Sequence, residues 1–345
     1  MKRKKTVEKS FLCLLTLGVV IGLLSHDYVT QAATPSAKLT LKFSHFLSEG
    51  TPIHKGCVKF AELVAAKSKG EIEVLVFPNA QLANVRETPG ALKTGTIDLS
   101  FVDYAMLGAF RGGRDFNVFV APFAFRDRNH LHAFLKSPVF AEMVGEFNKA
   151  KGGFQVFSPF GDRNAKQLST KGVAVKSPSD IKGLRIRVAP IPAHMEIFRA
   201  WGATPTPVEY AELFSALQTG MVDGEDSDVA SVTQMKFYEV EKHMALLSHC
   251  TTALGLVVSD KTWDGLNAAQ RKILQDAGAE AGEFQSQTWR SEEKRDIETL
   301  KSKGMTVTAP DREAFAKLSE PLLQEWDASA KFWRKGLLRQ LREVR

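Results

Sequence analysis

The strongest constraint on the fold is a run of alternating periodicities between residues 39 and 102. Residues 39–43 alternate apolar and polar positions as a strand does. Residues 54–69 then place apolar side chains at Cys57, Val58, Phe60, Ala61, Val64 and Ala65, the spacing of one helical face, before Gly70 stops them. Residues 72–77 read as a second strand ending at Pro78, residues 85–94 as a helix ending at Gly95, and residues 97–102 as a third strand. Strands that alternate with helices in this way need a mainly parallel sheet with helices on its faces, because parallel neighbours are joined by crossovers. Ligands of such sheets collect at the carboxyl ends of the strands, where His45, Phe46 and Asp103 fall.

A second α/β unit is expected after the strand-like residues 154–157, where Ser158, Pro159, Gly161 and Asp162 mark a chain break. It holds a strand at 184–188, helices near 193–201, 211–219 and 229–237, and a turn at Pro205 and Pro207. Residues 268–303 contain no proline and are rich in helix formers, so one helix too long for a single lobe is expected to run across both.

The N-terminus has the pattern of a processing segment. Lys2, Arg3, Lys4, Lys5 and Lys9 precede a short apolar run at 11–24, and the small pair Ala32 and Ala33 follows. Export with cleavage near Ala32, into the periplasm, is the expectation; a retained anchor is the alternative. Cys13 lacks the small residues a lipoprotein site wants before it. Removing residues 1–32 takes away five basic and two acidic side chains and lowers the formal charge from +7 to +4. About 310 residues remain, more than one core organises, so two lobes are expected. Cys57 and Cys250 are then the only cysteines, and two buried thiols are the reading preferred to a bridge.

The basic surplus lies mostly at Lys331, Arg334, Lys335, Arg339, Arg342 and Arg345, which with Phe332, Trp333, Leu337, Leu338 and Leu341 read as an amphipathic helix. Basic residues interleaved with aromatics on a reading element are missing, which argues against a nucleic-acid partner. Hydrolase elbows, zinc-protease motifs, paired cysteines, phosphate loops and dinucleotide fingerprints are also missing, so neither an enzyme nor a cofactor or metal site is expected.

The informative stretch is 178–243. Pro178, Ser179 and Asp180 lead into Gly183 to Val188; Gly202 and the Thr204 to Pro207 run follow; then come Leu213, Gln218, Gly220 and Val222, Asp223 and Gly224, and finally Lys236, Phe237 and Tyr238. In order and spacing these motifs resemble the solute-binding subunits of TRAP transporters, the tripartite ATP-independent periplasmic carriers, and their DctP-type branch in particular. Residues 70–77, Gln81, Leu82, Gly95, Ile97 and Asp98 extend the resemblance over nearly the whole mature chain. It implies a two-lobed periplasmic binding fold in which each lobe is a mainly parallel sheet flanked by helices. On this organisation residues 1–32 are the leader, 33–160 and 253–300 form the first lobe, and 161–252 and 301–345 the second.

The resemblance also implies site residues. The family's carboxylate-pairing arginine matches Arg187, and a planar five-donor fork on a strand suits that contact better than a lysine. A second family arginine sits about twenty residues earlier in a Gly-x-Arg context. Gly161, Asp162 and Arg163 supply the context, but Arg163 lies 24 residues before Arg187, which leaves Lys166 as the alternative cation. The aromatic that covers the ligand matches Tyr210, and Ser227 stands where many relatives carry asparagine. Asp103, Phe46 and His45 match the remaining pocket positions. Glu225, Asp226 and Asp228 around Ser227 are expected to be a solvated charge cluster at a helix start, with a ligand-facing role as the alternative.

The implied activity is capture of a small carboxylate between closing lobes by a monomer, and its delivery to the membrane permease. A receptor serving a sensor kinase, or an exported enzyme, are the alternatives. Acidic side chains in the pocket favour a monoacid bearing hydroxyl or amino groups over a short dicarboxylate such as succinate.

Overall fold

The structure, a computed structural model, describes residues 38–345, and the expected leader at 1–32 lies outside the described residues. The strands build two sheets. The first contains β1 (Leu39–Ser44), β2 (Ile72–Phe77), β3 (Leu99–Asp103), β4 (Phe154–Asp162) and, much later in the chain, β10 (Ala253–Ser259), in the order β2-β1-β3-β10-β4. The second contains β5 (Lys166–Thr170), β6 (Arg185–Val188), β7 (Thr204–Pro207), β8 (Gly224–Ser227), β9 (His243–Cys250) and β11 (Thr306–Thr308), in the order β11-β9-β5-β8-β6-β7.

Each sheet is mainly parallel, and each has one exception with the same cause. The chain leaves the first sheet after β4 and enters the second as β5; it returns after β9 as β10. Both entering strands run antiparallel to their neighbours. The starts of β5 and β10 therefore lie at the same edge as the carboxyl ends of the parallel strands, and that edge faces the cleft between the lobes.

β4 differs from the sequence expectation. It continues through Pro159 and Gly161 to Asp162 instead of breaking after Phe157. It is an edge strand, so Pro159 removes no ladder bond on its outer side and the ladder to β10 accommodates it with register shifts.

The helix Ala268–Ser302 is 35 residues long, about 50 Å at the usual rise per residue. Asn267 and Gln270 form a capping box at its start. It carries the chain from the first sheet to β11 of the second. Its close seat on β4 requires glycines. Gly161 has a φ of +76°, and a Cβ there would collide with Ser286 and the backbone of Gly282, while a Cβ on Gly282 would meet the Gly161 nitrogen at 2.8 Å. Three contacts then fasten the end of β4 to this turn of helix. Asp162 N donates to Ser286 Oγ at 2.8 Å, Asn164 Nδ2 to the Trp289 carbonyl at 3.1 Å, and the Arg163 guanidinium lies 5.3 Å from the Trp289 ring centre.

Phe43, Phe60, Leu256 and Trp289 centre the first lobe's core, and Leu217, Phe237, Met244 and Leu300 that of the second. A further apolar cluster joins Phe116, Phe119 and Phe134 to Phe198, Trp201 and Trp326. Cys57 and Cys250 are both free and buried, Cys250 donating to the Phe119 carbonyl at 2.9 Å. The C-terminal helix is shorter than its pattern, Leu337–Glu343, because Gly336 turns the chain with a φ of +79°. Its basic face is engaged: Arg334 pairs with Asp115 and Glu142, Lys331 with Glu196, and Arg342 with Glu320.

Candidate ligand-binding cleft

A cleft of about 560 Å³ lies between the two sheets at their shared edge. Phe46 and Asp103 reach it from the ends of β1 and β3, and Arg163 and Lys166 from the crossing between β4 and β5. Arg187 comes from β6, Tyr210 follows β7, and Asp226, Ser227 and Asp228 close β8. A second space of about 510 Å³ adjoins it, shares Phe46, Arg163 and Tyr210, and extends to Trp289.

Three cations line the interior, and charge pairing separates them. Arg163 is paired with Asp228 and donates to Ser231 Oγ at 2.8 Å. Lys166 donates to Asp226 Oδ2 at 2.8 Å. Burial works against the charge on both, but the adjacent carboxylates outweigh it and hold both cations above their ordinary range. Arg187 is only 6% exposed, and its Nε donates to the Val208 carbonyl at 2.9 Å. Among the described residues no carboxylate forms an ion pair with it, and neither Nη group donates to another side chain or carbonyl. The guanidinium lies 5.7 Å from the centre of the Tyr210 ring. Burial pushes the Tyr210 hydroxyl up to about 12, so it remains a neutral cover.

Asp226 is the best-supported acid. Beside Lys166 it has His249 Nε2 at 2.9 Å and His194 Nε2 at 3.3 Å. Burial alone would raise its pKa, yet Lys166 first, then His194 and His249, hold it well below the usual carboxylate range. Burial pushes His194 down to about 3, which keeps that ring neutral. His194, Asp226 and His249 offer three buried atoms of the type that bind metals. The Lys166 ammonium already occupies one oxygen of the carboxylate by a hydrogen bond, and the two imidazoles lie against the carboxylate without completing hydrogen bonds of their own. Asp228 caps the helix Val229–Gln234 by accepting from Ser231 N at 2.8 Å.

The acidic group is therefore not the solvated cluster expected from its position. Glu225, Asp226 and Asp228 are all buried, because β8 is a central strand and Lys166 and Arg163 compensate the two aspartates. Glu225 turns away from the cleft. Its Oε1 lies 3.0 Å from Ser169 Oγ, and its Oε2 accepts from Ser227.

Asp103 ends β3, and its Oδ1 accepts from Ala105 N at 3.0 Å; it has no ion-pair partner among the described residues. Burial raises its pKa, opposed first by the field of Lys166. Phe46 packs on Phe101 with ring centres 5.4 Å apart. His45 does not join them. It is 1% exposed, its Nε2 lies 3.0 Å from His54 Nδ1, and burial pushes it down to about 3. His45 directly follows β1 and lies in the core beside His54, whereas Phe46, in the bend that comes next, reaches the cleft. Six of the seven expected residues thus line one cleft, and both Arg163 and Lys166 are there.

The spacing of the sequence did not reveal the pairing of His194 and His249 with Asp226, which joins a helix, β9 and β8. It also did not reveal the apolar wall of Phe101, Met106, Phe110 and Phe154, whose residues read as ordinary core.

The profile of bacterial extracellular solute-binding protein family 7, DctP, matches residues 43–329. The chain belongs to that family. Among curated members, the sialic acid-binding periplasmic protein SiaP of Vibrio cholerae is 28% identical, over 94% of this chain and 96% of SiaP. A TRAP periplasmic solute binding protein from Bordetella bronchiseptica, solved with ligand density interpreted as pantoate, superposes with a TM-score of 0.82 at 30% identity, covering 89% of this chain and all of that one. A Polaromonas counterpart bound to D-erythronate gives 0.82 at 25% identity, over 89% and 99% of the two chains. As a family 7 member the protein is a TRAP-type solute-binding protein with the two-lobed fold, and the family is one of binding proteins, not of enzymes.

Proposed function

We propose that this family 7 protein is a periplasmic receptor that closes its lobes on a small organic carboxylate, anchors it on Arg187 and delivers it unaltered to a TRAP membrane permease. The observation that carries this reading is the pairing state of the cleft cations. Arg163 and Lys166 have their own carboxylates, whereas Arg187, the most buried, has none. Glu225 on the neighbouring strand lies in the field of Arg187 without pairing with it; a buried guanidinium that lacks an ion pair is costly, and an incoming carboxylate supplies one in bidentate geometry. Tyr210 and Phe46 cover the ligand from the two lobes, and Ser227 and Asp103 offer polar contacts. Contacts from both sides form only when the lobes are closed, so binding shifts the population toward the closed form. The ligands of the two structural neighbours, pantoate and D-erythronate, are both monocarboxylates that carry hydroxyl groups.

On this reading residues 33–160 and 253–300 act as one lobe, 161–252 and 301–345 as the other, and the receptor works as a monomer. Mass spectrometry of the molecule released by denaturing the purified protein tests the reading. A carboxylic acid at one per chain is expected. A bound amine, a neutral sugar, or a chemically altered product would overturn it.

A further inference from the structure

The two sides of the cleft differ in chemistry, and together they define a ligand. On the second-lobe side the uncompensated group is Arg187. On the first-lobe side the lining is Phe101, Met106, Phe110, Phe154, Leu254 and Val257, contributed by β3, the turn after it, β4 and β10. Four polar first-lobe side chains, Arg86, Thr88, Ser100 and Asp103, share this lining. Three are satisfied: Arg86 pairs with Glu209, Thr88 Oγ1 donates to the Asn84 carbonyl at 2.7 Å, and Ser100 Oγ donates to the Ser44 carbonyl at 2.8 Å. Asp103 has one oxygen on Ala105 N, and its second oxygen has no partner among the described residues.

We infer that the ligand is a monocarboxylate with an apolar body and a single hydroxyl or amino group near the carboxylate. This rests on the carboxylate reading above and narrows it. Arg187 takes the carboxylate, the free oxygen of Asp103 accepts one hydrogen bond, and the hydrocarbon part lies on Phe101, Phe110 and Phe154. A polyhydroxylated sugar acid would press further hydroxyls against those rings. Each hydrogen bond left unmade there weakens binding by roughly 5- to 150-fold. A dicarboxylate fares no better, because Arg163 and Lys166 are already neutralised by Asp228 and Asp226, and its second charge would face Asp103 or the aromatic wall.

Calorimetric titration of the full mature protein with 3-phenyllactate, 2-hydroxy-4-methylpentanoate, 3-phenylpropionate, D-gluconate and succinate tests the inference. At least one of the two hydroxy acids with apolar bodies is expected to bind about tenfold or more tightly than gluconate and succinate, and 3-phenylpropionate more weakly than 3-phenyllactate. Phe110→Gln is expected to erase the advantage of 3-phenyllactate over gluconate. Gluconate or succinate binding as tightly as the hydroxy acids would overturn the apolar class while leaving the carboxylate reading intact. Equal binding of 3-phenylpropionate and 3-phenyllactate would remove the role of Asp103. If no carboxylate in the panel binds folded protein, the carboxylate reading fails, and this inference with it.

Discussion

Arg86 and Glu209 face each other across the rim of the cleft, Nη2 to Oε1 at 2.7 Å, and tie the loop before the helix Thr88–Thr94 of the first lobe to the end of β7 in the second. Arg86 is 77% exposed, so the pair is a screened surface contact that exists only while the lobes are together. Arg86→Ala is expected to weaken ligand binding by no more than about fivefold and to speed release, with the difference from the native protein shrinking at high salt. Stopped-flow release measurements at low and high ionic strength would show this. An unchanged release rate would mean the pair does not hold the closed state.

Arg187→Lys is expected to be far more damaging. An ammonium cannot both donate to the Val208 carbonyl as Nε does and offer a two-pronged contact to a carboxylate. Affinity should fall by about 1.5–3 kcal/mol, while the unfolding midpoint without ligand moves little. Calorimetry on the variant reads the first quantity and thermal denaturation the second; native affinity would place Arg187 outside the site.

Beneath β8 lies a buried acid pair with one hydroxyl between its members. Ser169 Oγ is 3.0 Å from Glu225 Oε1 and 2.7 Å from Glu241 Oε2, and a hydroxyl has one proton to donate. At least one carboxyl must therefore carry a proton. Burial raises both, Glu225 to about 7 from an ordinary 4.5 and Glu241 well above its own. Because the folded protein holds these protons more tightly than the unfolded chain, the associated stability is complete below about pH 4.5. It is lost as pH rises toward 7 and beyond. Glu241→Gln, which keeps a donor without the titration, should flatten the decline of melting temperature between pH 5 and pH 8 and melt higher than the native protein at pH 8. A steeper decline in the variant would contradict the assignment.

Gly161→Ala should destabilise the chain by about 1–3 kcal/mol, since it combines a left-handed backbone with a collision against the long helix. Gly172→Ala, at a position with open space around it, serves as the control and should be near neutral when both are followed by denaturant unfolding.

Local periodicity carried much of this fold. β1, β2, the helix between them and the 35-residue helix lie where their patterns place them, because each buries one face and the two helices start on the capping residues Thr51 and Asn267. Asp103 was singled out by its place at a strand end, and Arg187 and Tyr210 only by the family resemblance; the fold brings all three to one cleft. What escaped depended on neighbours distant in sequence. Pro159 reads as a break until β4 is known to be an edge strand. His45 and Phe46 look equivalent until the bend after β1 sends them to different sides. Asp226 reads as a solvent-facing helix-start acid until Lys166, His194 and His249 converge on it. Phe110 and Phe154 are indistinguishable from core residues in the sequence, since only the separation of the lobes leaves one side of them uncovered.

The fastening of β4 to the long helix makes a stitched seam beside the cleft. Gly161, Asp162, Arg163 and Asn164 are held against the turn bearing Gly282, Ser286 and Trp289. The Arg163 guanidinium also reaches Asp228 and Ser231 at the start of the helix Val229–Gln234. One side chain is therefore sewn to the long helix on one side and to the end of β8 on the other, so a change at Arg163 would loosen the seam as well as alter the cleft wall.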